Sequence, residues 1–79
     1  MMGRFSNISI SRYRRILKAL GLTCVRVNAG HEMWYKEGML RNVVFQTHVD
    51  PVPEAIIILN NKTMGITGNE FEHYLKEVK

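Results

Sequence analysis

The chain has 79 residues, of which 46% are hydrophobic and 23% are charged, so residues 1–79 are expected to form one small globular domain rather than a disordered segment. The longest apolar run, Ala55 to Leu59, has five residues, too few to cross a membrane. The opening residues lack the apolar core of a signal peptide, and the single cysteine, Cys24, can form no internal disulfide. We therefore expect a cytoplasmic protein with no membrane partner, and we expect Cys24, which lies in an apolar stretch, to be a core residue.

Positive charge is concentrated in the N-terminal part of the chain. The formal net charge is +4, and residues 1–31 carry six basic residues and no acidic one, whereas residues 32–79 carry five basic and seven acidic residues. The six are Arg4, Arg12, Arg14, Arg15, Lys18 and Arg26. This asymmetry favours a polyanionic partner, nucleic acid first. A solvated helix face that only keeps the protein soluble would give the same pattern.

The first predicted element is a helix from about Ser9 to Leu20. Its apolar members fall within an arc of about 120° on a helical projection; they are Ile10, Tyr13, Ile16, Leu17 and Leu20. The remaining surface carries Arg12, Arg14, Arg15 and Lys18. Ser9 can cap the first turn, and Gly21 can end the helix in the left-handed conformation.

Three short strand-forming runs follow. Residues 22–27 are rich in β-branched side chains, residues 33–36 contain two large aromatics, and residues 41–47 include a Val-Val-Phe run. Asn28-Ala29-Gly30 and Glu37-Gly38 break the chain between them. The tight breaks predict an antiparallel meander.

Two helices are predicted to end the chain. The run 55–59 suits a strand by its isoleucines, but its borders favour a helix over about 53–64, with Pro53 at the first helical position and Gly65 at the end. Thr67 and Glu70 then have capping-box spacing. The residues that recur at helical spacing after them are Phe71, Tyr74, Leu75 and Val78.

This order of elements predicts an α+β fold. Because a small meander must be covered on one face, the helices are expected to supply the cover. The arrangement matches the α-β-β-β-α core of the double-stranded-RNA-binding type, with an extra C-terminal helix.

Few residues in the sequence are candidates for catalysis or for binding a metal or cofactor. The sequence has no zinc-ligand spacing and no phosphate-binding glycine loop, and we expect no metal and no cofactor. Three histidines remain: His31 directly after the first turn, His48 at the end of the third strand, and His73 on the last helix, where we expect it at the surface. For each of them a structural role is the alternative.

Several short motifs, taken together, resemble the HicA family of bacterial toxins. In chain order they are Gly21-Leu22, Arg26 on a short strand, the turn Asn28-Ala29-Gly30-His31 and the aromatic pair Trp34-Tyr35. The segment 46–54, followed by Gly65-Ile66 and a final helix, is similar to a longer subgroup. HicA toxins are mRNA interferases of toxin–antitoxin pairs. The resemblance therefore implies an RNA-cleaving enzyme that acts on mRNA and is neutralised by a HicB-like antitoxin.

The resemblance also implies that His31 is the catalytic histidine. The Gly-Ser that precedes this histidine in the family is Ala29-Gly30 here, so a serine hydroxyl is missing and the glycine has moved by one place. RNA supplies its own nucleophile, the 2′-hydroxyl, and a neutral imidazole with a pKa of about 6.5 can remove its proton without a metal.

Basic side chains would hold the phosphate and stabilise its developing charge. The candidates by charge are Arg26 together with Arg12, Arg14, Arg15 and Lys18 of the first helix. Trp34 could stack on a base, although a core aromatic on the sheet has the same sequence signature.

Hairpin geometry suggests a second catalytic residue, His48. In an antiparallel pair the numbers of opposed residues have a constant sum, and a turn centred at 39.5 would set His31 directly opposite His48. The Glu37-Gly38 break favours an earlier turn with a sum of 77 or 75, which offsets the two by two to four positions. They could then serve as base and acid on one phosphate; alternatively, His48 only caps the loop into Asp50-Pro51.

Two other functions fit the same composition and charge. One is a non-catalytic RNA-binding module of the same fold. The other is a small interaction protein whose basic helix docks on an acidic partner.

Overall fold

A computed structural model of the chain describes residues 4–78. Its elements in chain order are α1 (Ile10–Ala19), β1 (Thr23–Asn28), β2 (His31–Tyr35), β3 (Val43–Gln46), α2 (Glu54–Met64) and α3 (Gly68–Glu77). The three strands form one antiparallel sheet in the order β1-β2-β3. The predicted α+β fold, an α-β-β-β-α core with an extra C-terminal helix, is confirmed.

The ends of the helices follow the sequence signals. The Ser9 side chain accepts a hydrogen bond from the backbone N–H of Arg12, and Gly21, at φ 94°, ends the segment. Thr67 and Glu70 form the reciprocal capping box of α3. Pro53 precedes the first helical residue of α2 instead of occupying that position, a shift of one residue from the prediction.

α1 and α3 pack with the inner face of the sheet around an aromatic cluster. The ring of Tyr13 meets that of Phe45 edge to face, with centroids 5.3 Å apart, and lies 6.1 Å from that of Phe71. Asn60 of α2 donates both to the Tyr13 hydroxyl and to the carbonyl oxygen of Val44, each at 3.1 Å. This one amide therefore joins α2 to α1 and to β3. Burial, opposed by the hydrogen bond from Asn60, raises the pKa of Tyr13 to about 12.

β1 is one of the two edge strands of the sheet, and all six of its residues are exposed. The prediction that Cys24 is a core residue is therefore wrong. The run is apolar enough for a buried strand, but β1 packs chiefly on β2, whereas the other edge strand, β3, is also packed by α2. A register shift between Cys24 and Arg26 adds a bulge, which turns the edge away from regular pairing.

Candidate active site on the outer face of the sheet

The turn before His31 is a two-residue hairpin connection. Asn28 pairs with His31, and the two residues between them have positive φ angles, 52° at Ala29 and 80° at Gly30. These angles define a type I′ turn, which reverses the chain tightly and suits two twisted strands. His31 is thus the first residue of β2, with its Nδ1 atom 3.3 Å from the carbonyl oxygen of Ala29.

Strand register determines which residues share a face with His31. Burial alternates along β2, with Glu32 and Trp34 buried on the inner face. His31 therefore belongs to the outer face, where it is opposed by Asn28 on β1 and by Gln46 on β3. The next outer row contains Arg26, Met33 and Val44.

Arg26 and His31 are consequently diagonal neighbours on the outer face. Diagonal cross-strand positions lie roughly 7–8 Å apart, a distance that a long guanidinium side chain covers easily. The Arg26 side chain is exposed and has no ion pair within residues 4–78. A phosphate held by Arg26 could therefore lie next to the His31 imidazole.

A groove of about 470 Å³ opens beside His31. Its walls come from the sheet, from the segment that leads into α2 and from the first turn of α2, and they include Val44, Gln46, Val49, Pro53 and Ile56. The walls are mainly apolar, while the imidazole and the Gln46 amide supply polar groups at one end. Such a groove can accept a flat base while its sugar and phosphate stay beside the imidazole.

His48 reaches the same end of the sheet. Opposed residues of β2 and β3 sum to 77, as His31 and Gln46 show, so the earlier of the predicted hairpin turns is confirmed. Thr47 donates through its backbone N–H and its hydroxyl to the carbonyl oxygen of Gly30, at 2.8 and 3.1 Å. The His48 ring then packs against Gly30, since a β-carbon added there would lie 3.4 Å from Nδ1.

Both imidazoles therefore lie beside Gly30: His31 is the next residue in the chain, and the His48 ring packs against Gly30 from just beyond the end of β3. The alternative role of His48, capping of the loop at Asp50, has no hydrogen bond to support it within residues 4–78. Asp50 instead accepts from the backbone N–H of Ile10 at the start of α1.

Two of the four basic residues of α1 are committed to internal contacts. Arg12 donates to the carbonyl oxygens of Leu75 and Val78 at the end of α3. Arg14 forms an ion pair with Glu32. The alternative of a solvated helix face therefore does not hold for Arg12 and Arg14.

The other two basic residues remain available. Among residues 4–78, Arg15 donates only to the Ser11 hydroxyl of its own helix, and Lys18 is exposed. Because α1 covers the inner face of the sheet, these two residues lie in a different layer from His31.

Glu32 and Trp34 form a buried polar cluster directly beneath the outer face. Burial raises the pKa of Glu32, but hydrogen bonds from Arg14 and Trp34, with the charge of Arg14, outweigh it and leave that pKa below its usual value. Trp34 is buried and donates from Nε1 to Glu32 at 3.0 Å. Of its two predicted roles, the core aromatic is the one observed, and stacking on a base would require it to leave the core.

Sequence reasoning missed two features of this region. Gln46 was not singled out, although a register sum of 77 places it directly beside His31. The pairing of Glu32 with Arg14 had no sequence signal, because it depends on how α1 is set across the sheet. His73, predicted at the surface, is exposed on α3.

No family model matches this sequence, and neither a curated protein nor a solved structure matches the chain. Within residues 4–78, none of the helices has the length and apolar character needed to span a bilayer. In the same part of the chain, no three His, Cys, Asp or Glu side chains come together as possible metal ligands.

Proposed function

We propose that this protein is a cytoplasmic endoribonuclease of the mRNA-interferase type, with His31 as its general base. The observation that carries the proposal is the placement of Arg26 and His31 as diagonal neighbours on the open outer face of the sheet. This pairs a proton acceptor with a fixed positive charge next to a groove of suitable size for a base.

The reaction needs only groups that RNA and this chain contain. His31 accepts the proton of the 2′-hydroxyl, and the resulting oxygen attacks the adjacent phosphorus. A new bond forms between O2′ and phosphorus while the bond from phosphorus to O5′ breaks. The products are a 2′,3′-cyclic phosphate and a free 5′-hydroxyl, whose proton comes from His48 or from water.

Arg26 is proposed as the main phosphate ligand. Its guanidinium can donate two parallel hydrogen bonds to phosphate oxygens and offset the charge that builds up as phosphorus is attacked. Arg15 and Lys18 lie in the helical layer behind the sheet and would contribute through longer-range attraction of the RNA. Arg12 and Arg14 are assigned structural roles, because their donors are already in use.

His48 is proposed as the general acid. Its exposed ring packs on Gly30, the residue that directly precedes the proposed base His31 in the chain. A HicB-like antitoxin is proposed as the protein partner, and that part of the proposal is supported by the sequence resemblance alone.

An RNA with one scissile position tests the chemistry. The purified chain is incubated with this RNA and with a matched oligonucleotide that carries a single 2′-deoxy nucleotide at the cleaved position. We expect cleavage of the first only, with a 2′,3′-cyclic phosphate detected by mass spectrometry. Binding of both without cleavage of either would favour the non-catalytic RNA-binding module. Absence of RNA binding at physiological salt would favour the small interaction protein.

A further inference from the structure

Helix α2 presents large aliphatic side chains to solvent. Ile58 is 43% exposed and Leu59 57% exposed, and Leu40, in the loop between β2 and β3, is fully exposed. Single exposed aliphatics are ordinary, but these three lie on or beside one helix. We call Leu40, Ile58, Leu59 and the side chains of the two grooves beside them the α2 surface.

The α2 surface is a ridge between two grooves. One groove, of about 410 Å³, lies between α2 and the β2–β3 loop and is lined by Leu40, Leu59 and Met64, among others. The second, of about 330 Å³, lies on the other side, where Ile58 faces Phe5 and Ile66. This shape suits packing against a second helix. Rows of side chains on that helix can enter the two grooves, while the α2 ridge enters a groove on the surface of that helix.

The charged side chains that line the first groove are both basic. Lys62 borders both grooves and Arg41 borders the first, and neither has an ion pair within residues 4–78. Glu54 and Arg4 also line the second groove, where Glu54 accepts from the backbone N–H of Phe5 and Arg4 is paired with Glu72. A second copy of the chain would bring +4 against +4 and set lysine near lysine, so a like partner is disfavoured.

We propose that the α2 surface docks an amphipathic helix of another protein, one that carries acidic residues beside its apolar stripe. The aliphatic side chains would enter the two grooves, and the acidic residues would meet Lys62 and Arg41. This surface shares no lining residue with the groove beside His31, so the proposal goes beyond the ribonuclease activity and does not depend on it.

A peptide display selection against the full chain tests this proposal. The library consists of helix-forming peptides of about 18 residues, or five turns, with randomised faces. We expect the enriched peptides to have net negative charge and apolar residues at i, i+3, i+4 and i+7. Their affinity for purified variants is then measured by fluorescence anisotropy, with folding of each variant checked by circular dichroism.

Three variants separate this surface from the rest of the molecule. Leu59→Asp and Leu40→Asp should each weaken peptide binding at least tenfold. Lys62→Glu should also weaken peptide binding, and the loss of affinity relative to the native chain should grow as the salt concentration falls. Val27→Asp is the matched control, because Val27 is 66% exposed on β1, away from α2, and its substitution should leave affinity unchanged.

Several results would overturn the proposal. These are enrichment of basic or neutral peptides, equal affinity for the native chain and Leu59→Asp, loss of binding in Val27→Asp, or failure to enrich any binder. A native dimer in sedimentation equilibrium that Leu59→Asp dissociates would assign the surface to a second copy instead.

Discussion

The guanidinium of Arg14, on α1, holds the buried carboxylate of Glu32, on β2, through hydrogen bonds from Nε at 3.0 and 3.1 Å and a further one from Nη2. Glu32 directly follows His31 in the chain, and its carboxylate also accepts from Trp34. This ion pair therefore ties the helical layer to the strand that carries the candidate base. Arg14, which the charge pattern suggests as an RNA ligand, is thus bound within the protein to the residue that follows the candidate base.

Removal of Arg14 should destabilise the fold. Arg14→Ala leaves the Glu32 carboxylate buried with Trp34 as its remaining partner, and we expect a loss of about 2 kcal/mol. This is below the roughly 3–5 kcal/mol for a fully buried pair, because the Arg14 side chain is 41% exposed and solvent screens the interaction. Urea denaturation measures the change. Lys18→Ala, on the exposed part of the same helix, should stay within about 0.5 kcal/mol of the native chain; equal effects of the two substitutions would contradict this role.

Acid should destabilise the protein partly through Glu32. The pKa of Glu32 is lowered in the folded state, so its contribution to stability is complete above the unfolded pKa of 4.5 and disappears as the pH falls through the lower folded pKa. We expect Glu32→Gln to be less stable at pH 7 and to lose less stability between pH 5 and 3 than the native chain. The free energy of unfolding in urea across that range measures both effects. An acid slope identical to that of the native chain would show that Glu32 is not the responsible group.

Most of the fold could be predicted because its signals are local. Ser9 and the Thr67–Glu70 pair define where α1 and α3 begin, and Gly21 and Gly65 define where α1 and α2 end. The exposure of Cys24 could not be predicted in this way. Whether an apolar strand is central or at the edge depends on which elements pack against it, and the sequence of β1 alone does not contain that information.

The hairpin turn before His31 contains a residue in a costly conformation. Ala29 has φ 52°, which costs an L-residue with a β-carbon about 1–2 kcal/mol and is tolerated far better by asparagine. We expect Ala29→Asn to raise the free energy of unfolding by about 1 kcal/mol. The same substitution at Ala55, an exposed position in α2, should lower it by about 0.5 kcal/mol. Thermal or urea unfolding of the two variants compares them directly, and a loss of stability in Ala29→Asn would contradict the turn assignment.

Salt dependence of RNA binding should identify the phosphate ligand. In single-stranded RNA each lost phosphate contact reduces the slope of log K against log salt by about 0.7. Arg26→Ala should show this reduction, measured in a His31→Ala background to prevent cleavage. Arg41→Ala, which removes an exposed arginine from the β2–β3 loop, is the control and should leave the slope unchanged. A reduced slope in Arg41→Ala with an unchanged slope in Arg26→Ala would indicate that RNA binds at the β2–β3 loop and not on the outer face of the sheet.

The candidate site could be predicted only in part. His31 and Arg26 follow from the motif, and the offset of His48 follows from counting residues across a hairpin. The sequence does not show which basic residues of α1 make internal contacts, because all four lie off its apolar arc. Arg12 and Arg14 differ from Arg15 and Lys18 only in that α3 and β2 place hydrogen-bond acceptors next to them.

The central claim is that the His31 imidazole takes part in RNA cleavage. The most direct measurement is the single-turnover rate of cleavage by the native chain, His31→Ala and His73→Ala, with circular dichroism to confirm that each is folded. His73 is exposed on α3 and outside the site, so it provides a matched histidine control. We predict a loss of roughly 10²–10⁴-fold in His31→Ala and no change in His73→Ala. A folded His31→Ala protein that cleaves RNA at the native rate would contradict the account.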